Sequence, residues 1–210
     1  TPNICDPAGN CNTTQVTSNA IKLDKTKPTS SVTSPAYDNS GTISVSVVSA
    51  DSLSGVASTA LWYRKNSGVW TSNGSSFTFD PLDIDATYDF YSIATDNAGN
   101  VELAPALADS TTIFDHTNPS GTWTSPVVNW TISGSESLQT SVSDNLSGIS
   151  SVSYQYKQNN GTDTFHDTPA LWNTVGLALD GYTARAIVID KAGNSLNIDR
   201  NFYVAAVISN

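Results

Sequence analysis

The 210-residue chain has no methionine, only two histidines, two cysteines and nine basic residues. Each scarcity excludes something. Nine Lys and Arg against nineteen Asp and Glu leave a net charge of −10, so the basic surface that nucleic-acid phosphates require is missing. His116 and His166 stand apart with no cysteine cluster beside them, which offers no zinc-ligand set. Serine is so common that a Ser–His–Asp set arises by composition alone, and no Gly-x-Ser-x-Gly elbow occurs, so the chain reads as non-enzymatic. No apolar run approaches the ~18 residues of a membrane span. No stretch holds the 3.6-residue period long enough for a helix. The absence of methionine and of a signal peptide points to a processed chain, or to the middle or end of a longer secreted protein.

What is present suits strands and turns. Serine and threonine make up roughly a quarter of the chain, while charged residues are 13%, about half the usual share. Apolar and polar residues alternate in several places. Ile43, Val45 and Val47 face one way against Ser44 and Ser46. Leu61 and Tyr63 alternate with Ala60 and Trp62, and Tyr88, Phe90 and Ala94 with Asp89, Tyr91 and Ile93. One turn is spelled three times: DPAGN (6–10), DNAGN (96–100) and DKAGN (190–194), with the aspartates 90 and 94 residues apart. DSLSGV (51–56) returns as DNLSGI (144–149), and DKTKP (24–28) as DHTNP (115–119), shifted by 93 and 91 residues. Three motifs shifted almost equally define an internal repeat. Its length fits a β-sandwich of about 100 residues. The expected order is linker, strands A and B, the DSLSGV turn, strand C, short middle strands, strand F, the DNAGN turn and strand G. The fold expected is therefore all-β, with tandem immunoglobulin-like β-sandwiches over 28–116 and 117–210. Residues 1–27 read as the F–G hairpin and last strand of a preceding, incomplete sandwich. A lone hairpin is marginal in water, so this segment needs another domain or chain to pack on.

Cys5 and Cys11 flank the first copy of the turn, where the two arms of a hairpin bring Cβ atoms within bridging distance. The expected disulfide points to an extracellular or cell-surface location.

The DSLSGV and DNAGN signatures, the DKTKP linker and YRKNSGVW (63–70) together resemble the tandem bacterial immunoglobulin-like domains of large surface proteins and adhesins, which archaeal surface proteins also carry. The resemblance covers nearly the whole chain. It implies a non-catalytic stalk, spacer or lattice module of an extracellular surface protein, with neighbouring domains of the same or an identical chain as partners. It also implies that some relatives hold calcium at the junctions between domains. Repeat two departs from the pattern: its Tyr156-to-Trp172 stretch looks nine residues longer than Tyr63 to Trp70.

Two sets of residues carry the expected chemistry. In this topology Asp24, Asp51 and Asp96 gather at the top of repeat one, and Asp115, Asp144 and Asp190 at the top of repeat two. Asp83 and Asp85 face the second group from the bottom of repeat one. Clustered carboxylates beside turn carbonyls suit Ca²⁺, which takes six to eight oxygens, and an occupied site would stiffen the linker. The same aspartates also serve simply as turn caps, and the sequence leaves both roles open. The second set is Trp62 and Tyr91, out of phase with the core, beside Arg64 and Asp89. They mark either an outward aromatic patch for cell-surface glycans, an adhesive reading, or a plain outer cover of the sheet.

Overall fold

The alternation along 56–65 and 86–96 becomes two long central strands in the computed structural model, which describes residues 5–11, 23–82, 84–127 and 130–206. Repeat one contains β1 (Thr29–Thr33), β2 (Tyr37–Asp38), β3 (Ile43–Ser44), β4 (Ser46–Ala50), β5 (Val56–Lys65), β6 (Thr71–Gly74), β7 (Thr78–Phe79), β8 (Ala86–Asp96) and β9 (Ser110–Phe114). β1 pairs with β4 and β3 with β7, and the other sheet has the order β2-β9-β8-β5-β6. Repeat two uses the same scheme with β10 (Ser120–Ser125), β11 (Thr131–Ile132), β12 (Ser135–Ser137), β13 (Gln139–Ser143), β14 (Ile149–Gln158), β15 (His166–Thr168), β16 (Leu171–Asn173), β17 (Gly181–Asp190) and β18 (Ser195–Val204). There β10 pairs with β13 and β12 with β16, and the larger sheet runs β11-β18-β17-β14-β15. In both repeats the second strand crosses over to pair in parallel with the last, as β2 on β9 and β11 on β18. This is the immunoglobulin-like sandwich, twice in tandem. Among the described residues no helix is long and apolar enough to cross a membrane.

Each sandwich has its own core. Ile43, Val45, Leu61, Phe79, Phe90 and Phe114 fill repeat one, and Trp123, Leu138, Trp172, Tyr182 and Phe202 fill repeat two. Burying a side chain of this size stabilises by about 1.5–3 kcal/mol. Tyr88 and Tyr182 stand near the start of the central strands β8 and β17, and their hydroxyls donate to Ile84 O and Ala178 O at 3.1 and 3.3 Å. Strand B departs from the alternation. Val47 has the parity of Ile43 and Val45 but is 36% exposed.

The apparent nine-residue insertion in repeat two does not exist. Trp172 is not the counterpart of Trp70. It sits on β16 opposite Glu136, as Phe79 sits on β7 opposite Ile43. Leu138 N–H bonds Ala170 O just as Val45 N–H bonds Phe77 O. With Trp172 matched to Phe79, both repeats have sixteen residues from the strand-C tyrosine to this core ring.

Strand G of repeat one is interrupted. Val101 bridges Thr95, and pairing then lapses until Ser110 meets Phe90. Two acids take over the work of the missing strand. Glu102 accepts N–H bonds from Ser30 and Ala94 at 2.7 and 2.9 Å, and Asp109 accepts from Val32 and Ser92 at 3.2 and 3.4 Å. Each carboxylate thus joins β1 to β8 where carbonyls of β9 would otherwise bond. Partial burial pushes the Asp109 carboxyl above its ordinary 3.8; the Ser92 and Val32 N–H groups pull the other way, and the neighbouring Glu102 charge adds to the rise. A raised folded-state value means this carboxyl favours folding when protonated. That contribution is complete below 3.8 and disappears as the pH climbs through the raised value. Asp109→Asn keeps an acceptor and removes the repulsion, so it is expected to match or exceed the wild-type melting temperature at neutral pH. Its advantage should shrink as the pH falls towards 3.8. Melting curves across that range check this, and an advantage that grows on acidification would refute it.

Of the expected N-terminal hairpin, residues 1–4 and 12–22 lie outside the described residues. Within 5–11, Cys5 and Cys11 are disulfide-bonded across an antiparallel bridge.

Candidate metal centres

The turn aspartates fold their own backbone around a carboxylate. In DSLSGV the chain must reverse, and Gly55 allows it by taking φ +78°. The reversed N–H groups of Leu53, Ser54 and Gly55 all point at Asp51 Oδ2, at 3.1, 2.9 and 2.8 Å. Asp144 Oδ2 accepts likewise from Leu146 and Gly148 at 3.1 and 2.8 Å. In the F–G turn, Asp96 Oδ1 accepts from Ala98 and Asn100 N–H, and Asp96 Oδ2 from Asn100 Nδ2 at 2.7 Å. Asp190 repeats this with Gly193, Asn194 and the Asn194 amide, and Asp6 with Ala8, Asn10 and the Asn10 amide. The linker aspartates complete each group. Asp24 accepts from Thr26 and Ser54 N–H, and Asp115 from Thr117 and Ser147 N–H.

The result is two clusters. One carboxylate oxygen from each of Asp24, Asp51 and Asp96 lies within 4.8 Å of the others, and the same holds for Asp115, Asp144 and Asp190. Asp96, Asp115 and Asp190 are buried. Like charges this close repel one another. Among the described residues no basic side chain forms an ion pair with these carboxylates; the ion pairs are Arg64–Asp89, His166–Asp163 and Arg185–Asp199, all elsewhere. In each cluster one oxygen, Asp51 Oδ1 or Asp144 Oδ1, is buried with no hydrogen-bond partner. Buried carboxylate oxygens are rarely left so.

Three of the six carboxylates are held below their ordinary value. Hydrogen bonds from the Ser54 side chain and then Thr26 N–H hold Asp24 below its ordinary value. Burial pushes Asp96 up, but the Asn100 side chain and the Asn100 and Ala98 N–H groups outweigh it and leave it lowered. Burial likewise opposes, without overcoming, the Gly148 and Leu146 N–H groups at Asp144. An all-oxygen set of hard anionic donors with no His or Cys fits Ca²⁺, or Mg²⁺ with stricter geometry, and not zinc or copper.

The other sequence candidates fall elsewhere. Asp83 lies outside the described residues. Asp85 reaches the junction but does not join the carboxylate cluster; it accepts from His116 N–H at 2.7 Å and from the Thr117 hydroxyl. It lies before β8 and flanks the chain leaving β9 on the β8 side. Asn100 and Asn194 were not singled out in the sequence, yet their amides also bond Asp24 O and Asp115 O, tying each linker to its F–G turn. The signal was there, as the last residue of each repeated turn.

Of the two readings of the aromatic set, outward patch or plain cover, the packing is that of a cover. Trp62 and Tyr91 are register partners with rings 12° from parallel, but Trp70 closes edge-on over Tyr91 at 4.2 Å and leaves it 5% exposed. The Arg64 guanidinium lies 4.6 Å from the Trp70 ring centre and pairs with Asp89 at 2.8 Å, while Asp89 also accepts from Thr111. Repeat two has an outer cover of the same kind, with Arg185 over Phe165 and paired to Asp199.

Two tandem immunoglobulin-like sandwiches, each with a carboxylate cluster at one end, define the class. The chain belongs to the bacterial Ig-like domain family, whose profile matches residues 6–115 and 137–206. No curated protein sequence matches it. Among solved structures it is similar to the fibronectin(III)-like modules of Clostridium thermocellum CbhA, at 12% identity and TM-score 0.43 over 85% of this chain and 95% of that one. It is also similar to a Ca²⁺-stabilised adhesin that helps an Antarctic bacterium reach out and bind ice, at 18% identity and TM-score 0.37 over 84% of this chain and 49% of that one. A third is the three N-terminal domains of the bacteriophage RB49 outer capsid protein Hoc, at 9% identity and TM-score 0.35 over 85% and 58%.

Proposed function

We propose that this chain is a non-catalytic spacer of an extracellular or cell-surface protein, in which each repeat is stabilised by one bound calcium ion. Its partners are the neighbouring domains of the same or an identical chain. The observation that carries the calcium reading is the buried, unpartnered oxygen of Asp51 and of Asp144, each within a group of three carboxylates with which no basic side chain among the described residues forms an ion pair. A turn-capping role uses the other oxygen of each residue and leaves this one without a purpose. The glycan-binding alternative has less support, because Arg64 and Asp89 are engaged with each other and Tyr91 is buried.

Extracellular modules bind Ca²⁺ at roughly 10⁻⁴–10⁻³ M. Millimolar calcium then adds about 1 kcal/mol per site by mass action, a rise of about 4–8 °C for a domain of this size. The repeat-two site should fill first, since Asp115 is fully buried while Asp24 keeps contact with water. The test is calorimetric titration with calcium beside melting curves with calcium and with chelator, on wild type, Asp51→Asn and Asp144→Asn. Each variant should lose one binding event. Binding heat that is absent, or unchanged in both variants, would sink the calcium reading.

A further inference from the structure

The segment joining the repeats is gripped from two sides, and only one grip belongs to the carboxylate cluster. On the repeat-two side, the Asp115 carboxylate holds Ser147 N–H at 3.0 Å and its carbonyl accepts from Asn194 Nδ2 at 2.8 Å. On the repeat-one side the chain leaves β9 between β2 and β8, and both flanking strands reach for it. Beside β2, Asp38 O accepts from Asp115 N–H at 3.0 Å. Beside β8, Asp85 takes His116 N–H with one oxygen and the Thr117 hydroxyl with the other. A further contact bypasses the linker altogether: Asn39 Nδ2 donates to Asn194 Oδ1 at 3.0 Å.

We infer that the angle between the two repeats is set by a cation-independent clasp, with Asn39 and Asp85 of repeat one gripping repeat two and its leading segment from opposite sides. Joined domains move relative to one another unless an interface restrains them. A single flexible link would leave both bending and twisting free. Here the attachments sit on either side of β9, so rotation in either direction stretches one of them. Asn194 is the hub on the repeat-two side. It is 7% exposed, both hydrogens of its amide are engaged by Asp190 Oδ2 and Asp115 O, and its oxygen is engaged by Asn39. The amide has no free hydrogen-bonding group left to rotate towards.

The clasp does not need the metal. All three carboxylates of the lower cluster come from Asp115 and repeat two, and none from the body of repeat one. Calcium would therefore tighten the top of repeat two without adding an attachment to repeat one. The clasp is also particular to this joint. Tyr182 corresponds to Tyr88, which places exposed Leu179 where Asp85 stands, and the parallel pairing of β11 places Ser133 and Ala205 where Asn39 and Asp115 stand.

The inference adds to the spacer reading, since a fixed angle is what a spacer needs, but it stands whether or not calcium binds. The test uses the full chain with spin labels on Ser72→Cys and Ser153→Cys, one in each repeat, and reads the distance distribution by pulsed electron resonance in calcium and in chelator. The clasped chain should give the same narrow distribution in both. Asn39→Ala combined with Asp85→Ala should broaden it roughly twofold in both, as expected for domains released from an interface. Thr117→Val, which leaves repeat one untouched, should broaden it less. Near-ultraviolet circular dichroism confirms that each variant remains folded. The inference is overturned if chelation alone broadens the wild type as much as the double substitution does. It is also overturned if the folded double variant, or Thr117→Val in its place, keeps the narrow distribution. A failure of calcium to bind would show in the titration and would leave these comparisons unaffected.

Discussion

Trp172→Ala is expected to unfold repeat two while repeat one stays folded. Trp172 is 2% exposed and lies at the centre of its core, with Tyr156, Phe202 and Tyr182 ring centres at 4.8, 5.1 and 6.1 Å. Removing a buried indole costs about 3–5 kcal/mol, from the lost burial and the cavity left behind. Whole domains are stable by only about 5–15 kcal/mol, and a repeat of this size belongs near the lower end. The loss stays local because the two cores are separate clusters with no shared side chain. Calorimetry of the wild type should resolve into two transitions. Trp172→Ala should remove or strongly lower one of them, and Leu61→Ala, in the core of repeat one, should lower the other. Trp172→Phe should cost less, since it keeps a ring in the core and removes an indole N–H that has no partner. Transitions that move together in both alanine variants would mean that the repeats fold as one unit.

The misreading of Trp172 shows what a sequence conveys about such a fold and what it withholds. Long alternating runs read correctly, because β5 and β8 are long interior strands of their sheet whose inward positions include Leu61, Tyr88, Phe90 and Ala94. Short middle strands carry only two to four residues each, too few for parity to reveal which face a residue takes. Trp70 and Trp172 were matched by residue type, although one lies on the outer face and the other inside. Only the register of β7 and β16 distinguishes them. Glu102 and Asp109 were missed for a different reason. They lie at either end of a stretch, Val101 to Ser110, that is four residues longer than its counterpart Ser195 to Arg200 in repeat two, and each reaches β1 across 72 or 77 residues of sequence.

The clusters themselves were legible because each aspartate occurs twice at the same place in the repeat. Asp85 was placed near the junction correctly, but nearness along the domain axis does not fix the side of the chain on which a carboxylate lies. Asp85 flanks the chain leaving β9 on the β8 side, where it holds the His116 N–H and the Thr117 hydroxyl instead of joining the cluster.

Asp190→Ala should be the most damaging single change to the cluster, and its cost should depend on calcium. Asp190 is 1% exposed and caps its turn through Gly193 N–H, Asn194 N–H and the Asn194 amide, at 2.7, 2.9 and 2.9 Å. Hydrogen bonds to a charged group contribute about 1.5–3 kcal/mol each, and these donors lose their partner together. Some of that cost is returned in chelator, because the substitution also ends the repulsion of Asp190 with Asp115 and Asp144. In calcium nothing is returned: the wild type gains the binding energy of the ion and the variant, with two carboxylates left, does not. The gap in melting temperature between wild type and Asp190→Ala should therefore widen as calcium is added, by about the 1 kcal/mol that one filled site supplies. Asp96→Ala should show the same widening in repeat one but at higher calcium, since Asp24 is the more exposed linker aspartate. The measurement is a set of melting curves at several calcium concentrations for the three proteins. A turn cap alone gives a gap that is large and constant. A metal ligand gives one that grows with the ion, and the two outcomes separate the roles that the repeated aspartates left open in the sequence.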